Sequence, residues 1–345
     1  MPAPQQTPDR SRHRRPGRAA ATATASAALI AVLAVAGLAG CSSSGSAASA
    51  TGDSSTAKSP FDLSTKNLKE RPHIDPVPEA VAALKESGFT PVQPGKLTVA
   101  LGAYVPPTSF LAEDDNRTFV GSDPDIANLI ADGLGLEFAP ENVAWADWPL
   151  GIESGKYDLG VTNITVTEER KDLFDFATYR QDVVAFEVKK GSKITKISKA
   201  ADVSGLKVVV GSGTNQEKIL LNWFAENKKA GLPPGEPVYY EDQAAAGLAL
   251  SSGRVDAILG PNAAASFRAA TTGQSTVVGT LNGGYPATAE IGATTKKGNG
   301  LAKPVQIVLN HLIKNGEYDT VLKRWATEAE AIPESRINPP GLPRP

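Results

Sequence analysis

Apolar positions along the chain alternate between a two-residue rhythm and a helical one. "GKLTVALG" (95–102) reads as a short β-strand. "DPDIANLIADGLGL" (123–136) places Ile126, Leu129, Ile130 and Leu134 on one helix face, with Asp123 set as its cap. An earlier helix is predicted over "PEAVAALKESG" (78–88), opened by Pro78 and stopped by Gly88. Two further helices, punctuated by Pro304 and Gly316, are predicted between Leu301 and Ala331. The pattern also echoes itself. "GKLTVALG" resembles "GLKVVVGSG" (205–213), and "LGIESGKYDLGV" (150–161) resembles "LALSSGRVDAIL" (248–259). In each copy a helix ends in Ser-Gly-(Lys/Arg)-x-Asp and runs directly into a strand, so Gly155 and Gly253 are expected in the left-handed conformation that ends a helix. Strands alternating with helices predict an α/β fold with mainly parallel sheets in two similar lobes; a single larger sheet is the alternative.

The second repeat element of the first lobe leads into "VTNITVTEERKD" (161–172). Thr165 and Glu168 have the spacing of a capping box at a helix start. Arg170 follows in the same turn, where the helix dipole disfavours a cation. Either Glu168, Glu169 and Asp172 hold that charge at the surface, or an anion arrives from outside.

The beginning of the chain changes the picture of where this fold works. Residues 1–18 carry Arg10, Arg12, Arg14, Arg15 and Arg18 against Asp9, and an Ala-rich apolar run follows to "LAGC" at Leu38–Cys41. A basic start, an apolar stretch and small residues before a cut make residues 1–40 a secretory signal peptide. Cys41 is the chain's one cysteine, so no internal disulfide forms. Its setting resembles a bacterial lipobox, which implies a lipid-modified N-terminus; an uncleaved anchor of about 20 apolar residues is the alternative. Both place the folded part outside the cytoplasmic membrane. Residues 41–58 are a flexible linker, 59–94 a Pro-rich lead-in containing the short helix, and 336–345 a Pro-rich tail that cannot fold alone.

Loss of residues 1–40 moves the net charge from −2 to −6 and leaves no basic block, which excludes nucleic acid or an anionic membrane surface as partner. His13, His73 and His311 are scattered, so no metal site and no cofactor are expected.

Taken in order, "GKLTVALGAYVPPTSF", "VGSDPDIANLIADGLGL", "VAWADWPLGIESGKYDLGVTNITVTEERKDLFDFA", "LKVVVGSGTNQEKIL", "DQAAAGLALSSGRVDAIL" and "NGEYDTVLKRWA" resemble the extracellular solute-binding proteins, family 3, over about residues 93–330. The resemblance implies the type II periplasmic-binding-protein fold. Two Rossmann-like lobes, 95–182 with 290–335 and then 183–289, would be joined by two strand crossings near Arg180–Val183 and Tyr285–Glu290, with ligand in the cleft. It implies a monomeric, lipid-anchored component on the outer face of the cell membrane that hands an amino acid or related carboxylate to an ABC permease.

The same resemblance assigns site residues. Arg170 matches the arginine that forks onto the ligand's carboxylate, and Thr165 joins that contact. Thr162 and Asn163 match the polar pair at the strand end. Thr214, Asn215 and Gln216 match the facing turn of the second lobe, and Tyr104 and Trp145 the aromatic wall. Trp148, Trp223 and Trp325 are expected in the cores. The family's ammonium-binding aspartate is replaced by Pro261, so Asn262 with backbone carbonyls is the candidate for that role, or the ligand has no primary ammonium. Other readings are an enzyme on this scaffold, a prephenate-type dehydratase or a murein transglycosylase, and a sensor without a transport role. Glu113, Asp114 and Asp115 lie in a solvated loop and offer no placed acid.

Overall fold

The computed structural model describes residues 59–344 apart from Val105 and Glu241; the segments expected as signal peptide and linker, with Cys41, lie outside the described residues. A first run of chain forms α1 (Pro78–Glu86), β1 (Lys96–Leu101), β2 (Phe110–Leu111), β3 (Phe119–Val120), α2 (Ser122–Leu134) and β4 (Glu137–Asn142). It continues through α3 (Trp148–Glu153), β5 (Leu159–Gly160) and β6 (Phe174–Gln181). A second run comprises β7 (Val183–Lys189), β8 (Lys207–Val209), α4 (Asn215–Lys229), β9 (Glu236–Val238), α5 (Gln243–Ser251), β10 (Ala257–Pro261), α6 (Asn262–Thr272) and β11 (Ser275–Asn282). The chain then returns with β12 (Glu290–Lys296), α7 (Ala302–Asn315) and α8 (Glu317–Arg324).

Each lobe is a five-stranded sheet, ordered β4-β1-β5-β12-β6 in the first and β11-β7-β10-β8-β9 in the second. The sheets are mixed rather than mainly parallel. β1 pairs parallel with β4 and β5, and β8 with β9 and β10, because helices carry the chain back between those strands. β12 runs antiparallel to β5 and β6, and β7 antiparallel to β10 and β11. The exception has a simple cause. β6, β7, β11 and β12 carry the chain between lobes, so they return without a helical crossover. Only Asp182 separates β6 from β7, and residues 283–289 separate β11 from β12.

The echoed motif has a structural reason. α3 and α5 are capped at Ser154 and Ser252, and the following Gly155 and Gly253 take φ of 74° and 75°. The motif's aspartates then tie each lobe together. Asp158 accepts the backbone N–H of Thr98 in β1 at 2.8 Å, and Asp256 accepts that of Lys207 in β8 at 2.8 Å. α2 is covered on nearly every side; Ile126, Leu129, Ile130 and Leu134 are buried. Its N-cap is Gly121, not Asp123, whose side chain is turned inward and fully buried. The lobe cores contain Trp325 and Trp223 respectively, and Trp148 belongs to a smaller cluster under the end of β5.

Segments outside the repeat wrap the first lobe. In the lead-in, Arg71 pairs with buried Asp125 at 2.7 Å, and Phe61 sits between Trp325 (5.2 Å) and Phe267 of the second lobe (5.7 Å). The tail folds against existing structure: the Leu342 N–H donates to the Val166 carbonyl at 3.2 Å, and the Arg336 N–H donates to the Thr178 hydroxyl at 2.9 Å.

At the return crossing, a Cβ on Gly283 would stand 1.9 Å from Asp182 Oδ2, whereas nothing lies within 4 Å of one on Gly247 in α5. Gly283→Ala is therefore expected to lower stability by about 1–3 kcal/mol through overpacking. Gly247→Ala is expected to raise it by about 0.5–1 kcal/mol through helix propensity. Urea melts of the two variants check the contrast, and equal effects would contradict the close approach.

Candidate functional site

The loop that leaves β5 supplies most of one wall. Thr162 accepts the Gly102 N–H at 2.9 Å, tying the end of β5 to the end of β1. Asn163 has φ of 55°, a left-handed conformation that asparagine tolerates, and its Oδ1 accepts from Arg180 Nη2 at 2.6 Å. No capping box forms. The Thr165 hydroxyl donates to Asp182 Oδ2 at 2.6 Å, and Glu168 pairs with Lys171 at 2.7 Å. The Thr167 hydroxyl instead accepts the Arg170 N–H at 3.0 Å, and Arg170 opens a three-residue 3-10 turn, Arg170–Asp172, rather than an α-helix.

Neither the turn nor the neighbouring acids neutralise Arg170. Glu168 holds Lys171, Glu169 holds Lys218 of the second lobe, and Asp172 holds Arg344. Among the described residues no carboxylate is within ion-pair distance of Arg170. Its guanidinium lies 5.4 Å from the ring of Trp145 and 5.5 Å from that of Trp148. Nη1 donates to the Thr165 carbonyl at 2.8 Å and Nη2 to the Gly213 carbonyl, across the cleft, at 3.2 Å. Burial pulls its pKa down to about 10, against the opposing pull of Asp182 and Glu169, so it stays charged at neutral pH. Of its five N–H donors, three remain for another acceptor.

The facing wall comes from the start of α4. Thr214 caps the helix by accepting the Glu217 N–H at 3.1 Å, and donates to the Gly211 carbonyl at 2.7 Å. Asn215 is buried, and its Nδ2 donates to Asp182 Oδ2 and the Gly283 carbonyl, both at 2.8 Å. Gln216 is buried, with Oε1 lacking a donor among the described residues. Asn262, opening α6 just after Pro261, donates to Glu330 at 3.4 Å. Tyr104 lies over Gly102; burial raises its phenol pKa, while the Thr162 side chain opposes and Asp123 adds. Trp145 is half-buried, with Gly213 across from it.

Four charged residues escape the sequence reading. Arg180 is buried; it donates through Nη1 to Glu330 and through Nη2 to Asp123 at 3.4 Å. Burial pulls its pKa down, but Glu330 and then Asp123 more than offset this and hold it above the ordinary value. Asp123 is pushed up to about 6 by burial, against Arg180. Asp182 is also pushed up to about 6 by burial, with the Thr165 hydroxyl, Arg180 and Arg170 pulling down and Glu330 pushing up. Asp182 Oδ1 and Arg180 Nε are buried and have no hydrogen-bond partner among the described residues. The signal available was charge inside a β run: "FATYRQDVVAFEV" (176–188) sets Arg180 and Asp182 among aromatic and aliphatic residues.

The profile of the bacterial extracellular solute-binding proteins, family 3, matches residues 97–328. The L-cystine-binding protein TcyJ of Escherichia coli is 31% identical over 236 residues, 67% of this chain and 82% of that protein. A solved ancestral arginine-binding protein bound to arginine shares 29% identity at a TM-score of 0.59, covering 67% of this chain and 98% of that one. A solved ancestral amino acid-binding protein, described as a precursor of cyclohexadienyl dehydratase, shares 26% identity at a TM-score of 0.57, covering 71% and 98%.

The raised Asp182 has a pH signature. The folded chain holds its proton more tightly than the unfolded chain, so its contribution to stability is best below 3.8 and is lost as pH rises through about 6. That rise corresponds to on the order of 3 kcal/mol. Asp182→Asn is therefore expected to raise the ligand-free melting temperature at about pH 8 and much less at about pH 4.5. Melting curves across that range check this, and a pH-independent difference would contradict a buried carboxylate.

Proposed function

Because this chain belongs to the bacterial extracellular solute-binding proteins, family 3, we propose that it is the ligand-binding component of an ABC importer for an amino acid or closely related carboxylate. The observation that carries this reading is Arg170: a charged guanidinium at the lobe boundary, stacked on two tryptophans, with donors left over and no acid of its own. A carboxylate matches that planar fork with two oxygens at once. Trp145 and Tyr104 would pack on the ligand's carbon skeleton, and Thr162, Asn163, Thr165, Thr214, Asn215, Gln216 and Asn262 would frame it. Lipid attachment at Cys41 would hold the protein as a monomer on the outer face of the membrane, beside its permease.

Binding supplies the work of closure. The lobes meet through Arg170 and Gly213, Lys218 and Glu169, and Asn215 and Asp182. A ligand that touches both walls stabilises that arrangement over an opened one by its differential affinity.

A catalytic reading has one observation in its favour, the raised carboxyls of Asp123 and Asp182, which is the condition a general acid needs. Among the described residues, His73 is exposed and pairs with Asp132, and His311 meets Asn315, so neither joins those acids. Incubation with prephenate or peptidoglycan is expected to give no turnover.

The binding reading is tested by thermal-shift screening of the mature protein against amino acids, with L-cystine and L-arginine included. Arg170→Ala is expected to weaken every carboxylate ligand roughly 100-fold, the loss of a charge-assisted bidentate contact, while the ligand-free melting point changes little. Full ligand stabilisation in that variant would remove Arg170 from the site.

A further inference from the structure

The family's ammonium acceptor is missing from lobe two, where β10 ends in Pro261 and the adjoining Asn262 is engaged with Glu330 and Ser266. A different acid stands in the right place. Asp182 is the single residue between β6 and β7, buried to 1% exposure at the back of the cleft. One of its oxygens, Oδ2, accepts from the Thr165 hydroxyl (2.6 Å) and from Asn215 Nδ2 (2.8 Å). The other, Oδ1, is buried with no donor among the described residues.

Thr165 fixes where this carboxylate stands relative to Arg170. Its carbonyl accepts from Arg170 Nη1 at 2.8 Å while its hydroxyl donates to Asp182. A guanidinium and a carboxylate are thus held on either side of one residue, at hydrogen-bonding distance from it and not from each other. That is the complement of an α-amino acid, whose own opposite charges are separated by one carbon. Asp182 Oδ1 is an acceptor, and a buried polar group left unpaired is costly, so a ligand N–H brought to it is favourable.

We propose that Asp182, at the hinge, receives the ammonium of the bound solute, so that a zwitterion is clasped across Thr165 with its carboxylate on Arg170 and its ammonium on Asp182 Oδ1. This rests on the reading of Arg170 as the carboxylate site and deepens it: the ligand class is an amino acid with a free α-ammonium, and the deaminated acid is rejected. The device also places the ammonium contact on the residue about which the lobes move. Asn215 of lobe two and Thr165 of lobe one both bond the same carboxylate oxygen, so the setting of the carboxylate depends on the two lobes being together. Ligand charge recognition and lobe closure are one event at this position.

The test uses matched pairs: L-arginine against guanidinovalerate, and L-cystine against dithiodipropionate, measured by calorimetry on the mature wild-type protein and on Asp182→Asn. Asparagine keeps an oxygen for Thr165 and Asn215 and replaces the unfilled acceptor with a donor, so it reverses only the proposed contact. Wild type is expected to prefer whichever amino acid binds over its deaminated partner by roughly 100-fold or more, as a site built to pair a polar group rejects an analogue lacking it. In Asp182→Asn that ratio is expected to fall to near one, with affinity for the deaminated acid little changed. A ratio retained in Asp182→Asn, or no preference in wild type, overturns the proposal. Undiminished binding of both pair members to Arg170→Ala would instead overturn the carboxylate reading beneath it. Should Asp182→Asn fail to fold, a crystal structure of the wild-type complex decides: the ammonium within hydrogen-bonding distance of Asp182 Oδ1 supports the proposal, and its placement on Asn262 or Asp123 alone refutes it.

Discussion

Arg170 and Asp182 do not pair with each other, and the cleft is organised around keeping them apart. Asp182 is buried and Arg170 half-buried, settings in which an unpaired charge is costly, and each meets Thr165 instead. Everything nearby serves that spacing. Trp145 and Trp148 give the guanidinium two aromatic faces, Asn215 fixes one oxygen of the carboxylate, and Gly283 lets the return strand pass against it. A tightly packed apolar junction would close more cheaply. The residual polarity is the part of the structure that a polar solute fits.

The hinge explains how that polarity reports on closure. Two antiparallel strand pairs, β6 with β12 and β7 with β11, form a continuous ribbon through both lobes, interrupted by a single residue on one side and by 283–289 on the other. Those interruptions lack the ladders of hydrogen bonds that hold the paired stretches, so the proposed closure would turn there. Asp182 occupies the shorter of them. A group bound to it would be bound at that axis, while Arg170 and Gly213 meet away from it across the cleft.

Segments outside the family-matched span complete the cleft. Glu330 lies beyond residue 328 and supplies the carboxylate that pairs with Arg180, reaching Asn262 of the second lobe as well. Phe61, well before residue 97, stacks on Phe267 of the second lobe while packing on Trp325 of the first. The lead-in and the tail are thus part of the lobe boundary. Their Pro-rich composition marks them as unable to fold alone, and they gain order from the first lobe's surface rather than from internal periodicity.

Local chemistry made several features of this protein legible. Helical spacing located α1, α2, α7 and α8, and the repeated Ser-Gly-x-x-Asp located two helix ends and the strands after them, because each depends on neighbours within a few residues. The ordered motifs likewise identified the family and singled out Arg170 as a cation at an apparent helix start, with Glu168, Glu169 and Asp172 left as its possible local partners. What the chain's own order could not decide is which charges meet at the cleft. Asp123 has the spacing of a helix cap yet turns inward to Arg180, and Thr165 has the spacing of a capping box yet bonds Asp182. Glu330 reaches Arg180 from 150 positions away. A cap and a long-range ion pair use the same side chains, and only the packed lobes determine which partner is near enough, and dry enough, to win.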